Sequence, residues 1–533
     1  MNKFKYGSIK PDKIIYADKE VDYHREVDSV IEVQRHALSV TIVNGTCEAP
    51  TSILETETIT LTIIPNEHYL LPETVTVVGA TYDYDNTTGI VTITNATNSV
   101  SVEATCLGTP YSITATITGG TATGDEVIRF GSTAAVTIVP NENYLLPEDI
   151  TVTGAQYAYN DETGVVSLSE PTSNVTIEAT CPMGATILGV SGEGRSDGVL
   201  TRTDQAIGLS FSINSSTGAI ASDFDNVFPY KDITEVTDTS GNVFVRIPKH
   251  YTKYTYDSDT GQMTTRISNV QLDGYILNPC FHDDAGNETD YVCVGKYTAG
   301  GDSSLAISKT NEAPLVNITH ATMRTACTAN GTNYGMLDYW TWRMLQDLFK
   351  IEFATTDSQI IMRGRVDTNS ASNTGTCDAI GVNKSGWDLT SMCMTYRGIE
   401  NLYGNIFQWC DGMLFDNHKI LVCYDPTKYS SNVSSTDYVE VGYKINENSS
   451  AGYPVSRGYD SDNPIVWESL DTTGGSASKY WFDYCMGGTS PCPGVGGRWN
   501  DGTGAGLWCM YAYSAGSAAP SVGGRLIYRG SPA

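Results

Sequence analysis

Positive charge is scarce in this chain: 32 Lys+Arg stand against 61 Asp+Glu among 533 residues, a formal net charge of −29. A surface of that sign repels phosphate backbones, so no nucleic-acid partner is expected. No run of about 18 apolar residues occurs, so no membrane insertion is expected. The basic start, Met1 to Gly7, is followed by no apolar stretch, and no secretory signal is expected. The 13 cysteines form no Cys-x-x-Cys, which removes the common zinc and redox spacings. They read as buried, reduced thiols, with Cys485 and Cys492 the pair least out of keeping with a disulfide. Phosphate-loop, Gly-x-Ser-x-Gly and His-Glu-x-x-His patterns do not occur, and the seven His are too scattered for a local metal pair. Asp257-x-Asp259-x-Gly261 and Asp83-x-Asp85 carry no distal Glu at calcium-loop spacing and read as turns. No cofactor, no metal and no catalytic residue are expected.

Only 17% of residues are charged, while 51 are Gly and 32 are Tyr. The surface is therefore covered by uncharged polar groups, and the composition suits sheet and ordered loop better than helix. The expected class is mainly β. A tandem duplication dominates the first third. The nine residues from Pro65 to Glu73 recur from Pro140 to Glu148, and Glu103-Ala104-Thr105-Cys106 recurs as Glu178-Ala179-Thr180-Cys181. In each copy apolar residues alternate with polar ones (Val100, Val102, Ala104, Cys106; then Val175, Ile177, Ala179, Cys181), the period of a half-buried strand. The expectation is two small immunoglobulin-like β-sandwiches, over 36–108 and 109–183, serving as a rigid spacer. Residues 1–35 ahead of them are read as a docking segment.

Beyond Met183 the style changes. Residues 184–277 read as the β-rich part of a C-terminal module, and 278–533 as its ligand-binding domain, α+β in class. Two helices are expected. One spans about 318–330 and stops at Gly331. The other spans about 338–349, is capped by Asp338, and presents Trp340, Met344, Leu345 and Leu348 as a core stripe. The long loops that follow are rich in Trp, Tyr and Gly and poor in Lys and Glu, the composition of a binding surface.

Gly404-Asn405-Ile406-Phe407-Gln408-Trp409 resembles the Gly-Asn-Val-Trp-Glu-Trp motif of the formylglycine-generating-enzyme branch of the C-type-lectin fold. Phe407 and Trp409 would anchor loops to the core from one strand face. Val294 to Tyr297, the stretch from Leu345 to Phe353, and the closing Gly496-Gly497-Arg498-Trp499 and Gly523-Gly524-Arg525-Leu526 stretches extend the resemblance over about 184–533. The oxidase of that family needs two neighbouring cysteines near the C-terminus. Only Cys509 stands there and Gln408 replaces the usual Glu, so the resemblance implies a protein that is not an enzyme; a formylglycine-generating-type oxidase is the lesser alternative. Trp499-Asn500-Asp501 also matches the signature of calcium-dependent lectins, but no Glu-Pro-Asn or Gln-Pro-Asp precedes it, so calcium is not expected.

The remaining resemblance is to variable proteins of diversity-generating retroelements, including phage tail receptor-binding proteins. It implies a lectin-fold ligand surface in the last strands and loops. The residues assigned to it are Arg498, Asn500, Asp501, Thr503, Trp508 and Cys509, continuing with Met510, Tyr511, Tyr513, Ser514, Ser517 and Pro520. The implied partners are a host cell-surface protein or glycan at this face and a phage tail or baseplate protein at the N-terminus. The implied assembly is a homo-oligomer, a trimer by analogy. The implied location is the virion, with a bacterial cell surface as the alternative.

Overall fold

In the computed structural model the described residues are 34–141, 144–195, 199–448, 451–473 and 482–532, together with the backbone of two short paired strands, Ile14–Tyr16 and Lys19–Val21. The rest of the expected docking segment lies outside the described residues. The protein is mainly β, with three α-helices among the described residues. It divides into two compact units, 1–184 and 185–533.

The first unit contains the duplication. In each copy two sheets close on one apolar core. In the first, Ser52–Leu54, Arg35–Val43, Val100–Thr105 and Thr76–Val78 make one sheet, and Thr81–Asp85, Ile90–Thr94 and Ile59–Thr62 the other. Leu38, Ile53, Leu61, Val91, Ile93 and Val102 from both sheets share the core. The alternating residues Val100, Val102 and Ala104 are buried as their period requires. The first and last strands pair in parallel, Leu38 opposite Val100, and the same pair returns as Ile113 opposite Val175. Small ties repeat as well. The Tyr84 hydroxyl donates to Pro72 O at 2.7 Å and the Tyr159 hydroxyl to Pro147 O at 2.9 Å. Gly79 and Gly154 both sit at positive φ, 89° and 85°, where a Cβ would stand 2.3 Å from a carbonyl oxygen of the facing turn.

In the second unit, residues 185–277 and 278–532 share one core. Leu188, Val190, Phe224 and Ile267 pack in the same cluster as Leu345, Leu348 and Phe349. A five-stranded sheet runs in the order Thr234–Thr237, Val243–Pro248, Tyr291–Gly295, Leu526–Arg529, Tyr334–Met336, so the closing strand of the chain sits beside an early one. A second five-stranded sheet holds Cys485–Met486, Met510–Tyr513, Cys492–Val495, Phe407–Trp409 and Val522–Gly523.

Both expected helices form. Helix α1 spans His320–Thr328, with Thr319 rather than Ile318 at its start, and ends three residues before Gly331. Helix α2 spans Tyr339–Phe353. Asp338 caps it by accepting from Thr341 N at 2.8 Å, as expected. It runs one turn beyond Phe349 because Ile351 and Phe353 continue the apolar stripe, and Ala354 ends it at φ 51°. Every residue of α2 is buried, including its charged face. That face is satisfied by ion pairs. Lys350 lies 2.9 Å from both Asp347 and Glu193, and Arg397 binds Glu352 through two nitrogens and Asp225 at 2.5 Å.

The thiol expectation needs one correction. Cys377 and Cys393 form a disulfide, whereas Cys485 and Cys492 are free and buried. Residues 377 and 393 come together because the loop between them folds back onto the strand Cys393–Tyr396, with Glu400 accepting from Gly375 N and Cys377 N. The turn reading at Asp257 holds, whereas at Asp83-x-Asp85 the turn begins only at Asp85, because Asp83 lies within the strand Thr81–Asp85: Asp85 and Asp257 each accept hydrogen bonds from residues two and three positions on.

Candidate ligand-binding surface

The last third of the chain builds its outer face on the sheet that carries Phe407–Trp409. Gly404 and Asn405 turn the backbone at φ 73° and 61° and deliver that strand. Phe407 and Trp409 point to one side and are buried there, with Trp409 Nε1 donating to Ile318 O at 3.0 Å. Gln408 points to the other side, accepting from Arg525 Nε at 2.6 Å and donating to Leu402 O at 2.8 Å. Met510–Tyr513 pairs antiparallel with Cys492–Val495, placing Tyr511 opposite Gly494 and Tyr513 opposite Cys492.

Period-two alternation then sorts the predicted site residues. Tyr511 and Tyr513 lie on the Phe407/Trp409 side, half-buried, with ring centroids 4.8 and 5.6 Å from Phe407, and Tyr513 also 5.4 Å from Trp409. Trp508 and Met510 have the opposite parity and are interior: Trp508 is 4% exposed and rests edge-on against Phe349 at 5.8 Å. Cys509 is fully buried in the other core cluster. These three are withdrawn from the contact surface. Their chemistry suggests contact residues, but the sheet's inner side and the packing around Gly497 take them out of reach. The parity of Trp508 and Met510 relative to Tyr511 and Tyr513 was the signal that separates them.

The other nine assigned residues reach the surface. Asn500, Thr503, Ser514 and Pro520 are exposed, and Arg498, Asp501 and Ser517 are half-buried. Arg498 is folded onto Asp501, donating from its backbone N and Nε at 3.0 Å each, so the pair neutralises itself. Ser514 and Ser517 share a 2.8 Å hydrogen bond between their hydroxyls.

Two tyrosines outside the predicted stretch complete this face. Tyr484 lies 5.6 Å from Tyr511, Tyr453 lies 5.6 Å from Tyr484, and Tyr511 lies 6.3 Å from Tyr513. The four half-buried rings form a continuous row, tied to the loop by the Tyr453 and Thr503 hydroxyls at 3.3 Å. Nothing local in the sequence links 453 and 484 to 511. The parallel pairing of Cys485 with Met510, which joins them, is a tertiary fact. Burial, first, and neighbouring groups push the Tyr511 and Tyr513 phenols far above their ordinary value, so both stay neutral donors and acceptors at physiological pH.

The thiol nearest in strand register to Cys509 is Cys485, opposite Met510 and packed in the cluster on Met510's side, not in that of Cys509. Burial pushes Cys485 up to about 12 and Cys509 well above the ordinary thiol range, so both are protonated and enclosed. Among the described residues no group of three His, Cys, Asp or Glu is arranged to hold a metal ion, and no helix is long and apolar enough to cross a membrane. No family model and no curated protein matches the chain.

Proposed function

We propose that this protein is a receptor-binding adhesin of a phage tail. In this reading a lectin-type frame in the C-terminal unit presents the tyrosine row and the loops around it to a host cell-surface protein or glycan, and no reaction is performed there. The observation that carries it is the division of labour between 498 and 520. Trp508, Met510 and Ala512 are spent on the core, while Tyr511, Tyr513, Asn500, Thr503, Ser514 and Pro520 are held on one rigid sheet and its loops at the surface. Half-buried tyrosines offer large amphipathic contact area with little rotamer freedom left to lose, and exposed Ser, Thr and Asn add adaptable hydrogen bonds. Residues of that second kind can be exchanged without touching the core, which is what retroelement diversification of a surface requires. The two N-terminal sandwiches serve as spacer, and display in several copies, as in a trimer, would raise avidity. The disulfide Cys377–Cys393 favours a final location outside a reducing cytoplasm, which suits a virion and equally a bacterial cell surface.

The test is a double variant, Thr503→Arg with Ser514→Arg. Both positions are exposed, so stability should change by no more than about 0.5 kcal/mol per site. Binding of the purified protein to host cells should be abolished, because two bulky cations would stand against the tyrosine row. Undiminished cell binding by a folded double variant would rule this surface out.

A further inference from the structure

A second concavity lies in the C-terminal unit, away from residues 498–520. It is a groove of about 810 Å³. Its walls are Ile276, Leu277, Pro279, Pro426, Pro464 and Ile465. Tyr424 completes them: one face of its ring is stacked on Trp340 at 4.6 Å, yet 43% of the residue remains exposed. A hydrogen bond from its hydroxyl to Asn463 Oδ1 at 2.6 Å fixes the ring. Four carboxylates, Asp283, Asp284, Asp425 and Asp462, line the groove, and among the described residues lining it none is Lys or Arg. Arg529 reaches Asp284 from behind at 3.4 Å, and Asp283 and Asp425 accept from backbone N–H groups of their own turns. Those bonds fix the carboxylates in place and leave a net negative lining. A smaller cavity of about 260 Å³ also touches Asp284 and Pro426, but Arg324 and Arg529 line it, so the negative lining ends at Asp284.

Apolar walls, an aromatic face and four carboxylates against the one guanidinium of Arg529 select a ligand with aliphatic stems and cationic heads. A purely apolar ligand would desolvate the carboxylates without replacing their hydration, and a neutral saccharide, although its hydroxyls can donate to them, would leave their charge unbalanced. Lysine and arginine side chains meet both demands, laying their methylenes on the walls while the charged end pairs with carboxylate or ring face. At about 810 Å³ the groove has room for several side chains, which suits an extended segment better than a single side chain. We infer that this groove docks a basic, partly apolar peptide segment of a partner protein. The inference stands apart from the tyrosine surface and does not depend on it.

The probe is a short fluorescein-labelled peptide of alternating lysine and leucine, titrated with the full chain at physiological ionic strength and read by anisotropy. Saturable binding is expected, lost when the lysines are acetylated. Tyr424→Ala should weaken it by about tenfold or more, and Tyr424→Phe should restore it. Asp425→Asn with Asp462→Asn should weaken it to a similar extent while keeping the turn at Asp425. Because Tyr424→Ala leaves net charge unchanged, a diffuse attraction of a cationic peptide to a chain of charge −29 would survive it, and that result would overturn the proposal. So would equal binding of the acetylated peptide, displacement by a neutral oligosaccharide, or no saturable binding. Should Tyr424→Ala fail to fold, the Asp425→Asn/Asp462→Asn variant decides: parental affinity there would overturn the proposal.

Discussion

Arg525 shows how much a single side chain carries in this unit. It is fully buried, and all five of its N–H groups are satisfied: Nε by Gln408, Nη1 by the carbonyls of Gly295 and Lys296, and Nη2 by those of Glu400 and Asn401. Burial lowers its pKa to about 9, which leaves it charged at neutral pH. Five bonds in a planar fork are what lysine cannot make. Arg525→Lys is therefore expected to leave buried carbonyls unpaired at about 1–3 kcal/mol each, so that the C-terminal unit loses several kcal/mol in urea denaturation; a loss below about 1 kcal/mol would show that this network holds little together. The Gly523-Gly524-Arg525-Leu526 stretch was visible in the sequence as a closing strand, but its arginine's role was not, since its acceptors come from residues 295–296 and 400–408. Trp409 and Trp508 make the same point in opposite directions. Trp409 was legible as core because its motif and its strand parity agree. Trp508 was misread because aromatic richness alone cannot tell a displayed ring from a buried one.

At the scale of the element, α2 was legible in its cap, its existence and its apolar stripe. What the sequence concealed is that the polar stripe is buried too. Its partners Glu193 and Arg397 lie far away in the chain, brought in by the packing of 185–277 and of the turn after Cys393–Tyr396 against the helix, and Asp225 in turn pairs with Arg397. Glu193 is a buried carboxylate held charged by that network. Burial alone would raise its pKa, but Lys350, Arg457 and Arg343 outweigh burial and hold it at about 2, below the ordinary value of 4.5. A carboxylate lowered in the folded state stabilises fully above pH 4.5, and that stabilisation disappears as pH falls towards 2. Glu193→Gln should thus be clearly less stable than the parent at pH 6, and the difference should shrink steadily between pH 4.5 and 2 in denaturant titrations. A difference that stays constant with pH would mean that Glu193 contributes through packing and not through charge.

At the scale of the molecule, the duplication was the most legible feature, because equal sequences placed 75 residues apart must bury equal faces, and the register of the first and last strands repeats accordingly. The disulfide was illegible for the converse reason. Cys377 and Cys393 belong to no spacing motif and meet at a Cα–Cα distance of 5.9 Å only after the loop has folded. The two units draw on separate cores, since no residue of the N-terminal sandwich cores belongs to a C-terminal cluster. They are therefore expected to give separate transitions in calorimetry, assignable with fragments 34–184 and 185–533. Only the second holds a disulfide among its described cysteines; Cys47, Cys106 and Cys181 of the first are free. Opening a loop of this length costs about 3 kcal/mol in the chain-entropy picture. Spread over the unfolding entropy of so large a unit, this is a fall of about 4 °C in its Tm. Dithiothreitol should shift that transition and leave the other where it was, and Cys377→Ser with Cys393→Ser should reproduce the shift without reductant. If both transitions moved together, the units would be thermodynamically coupled; if neither moved, the covalent link would be redundant with the hydrogen bonds that Glu400 makes to the same loop.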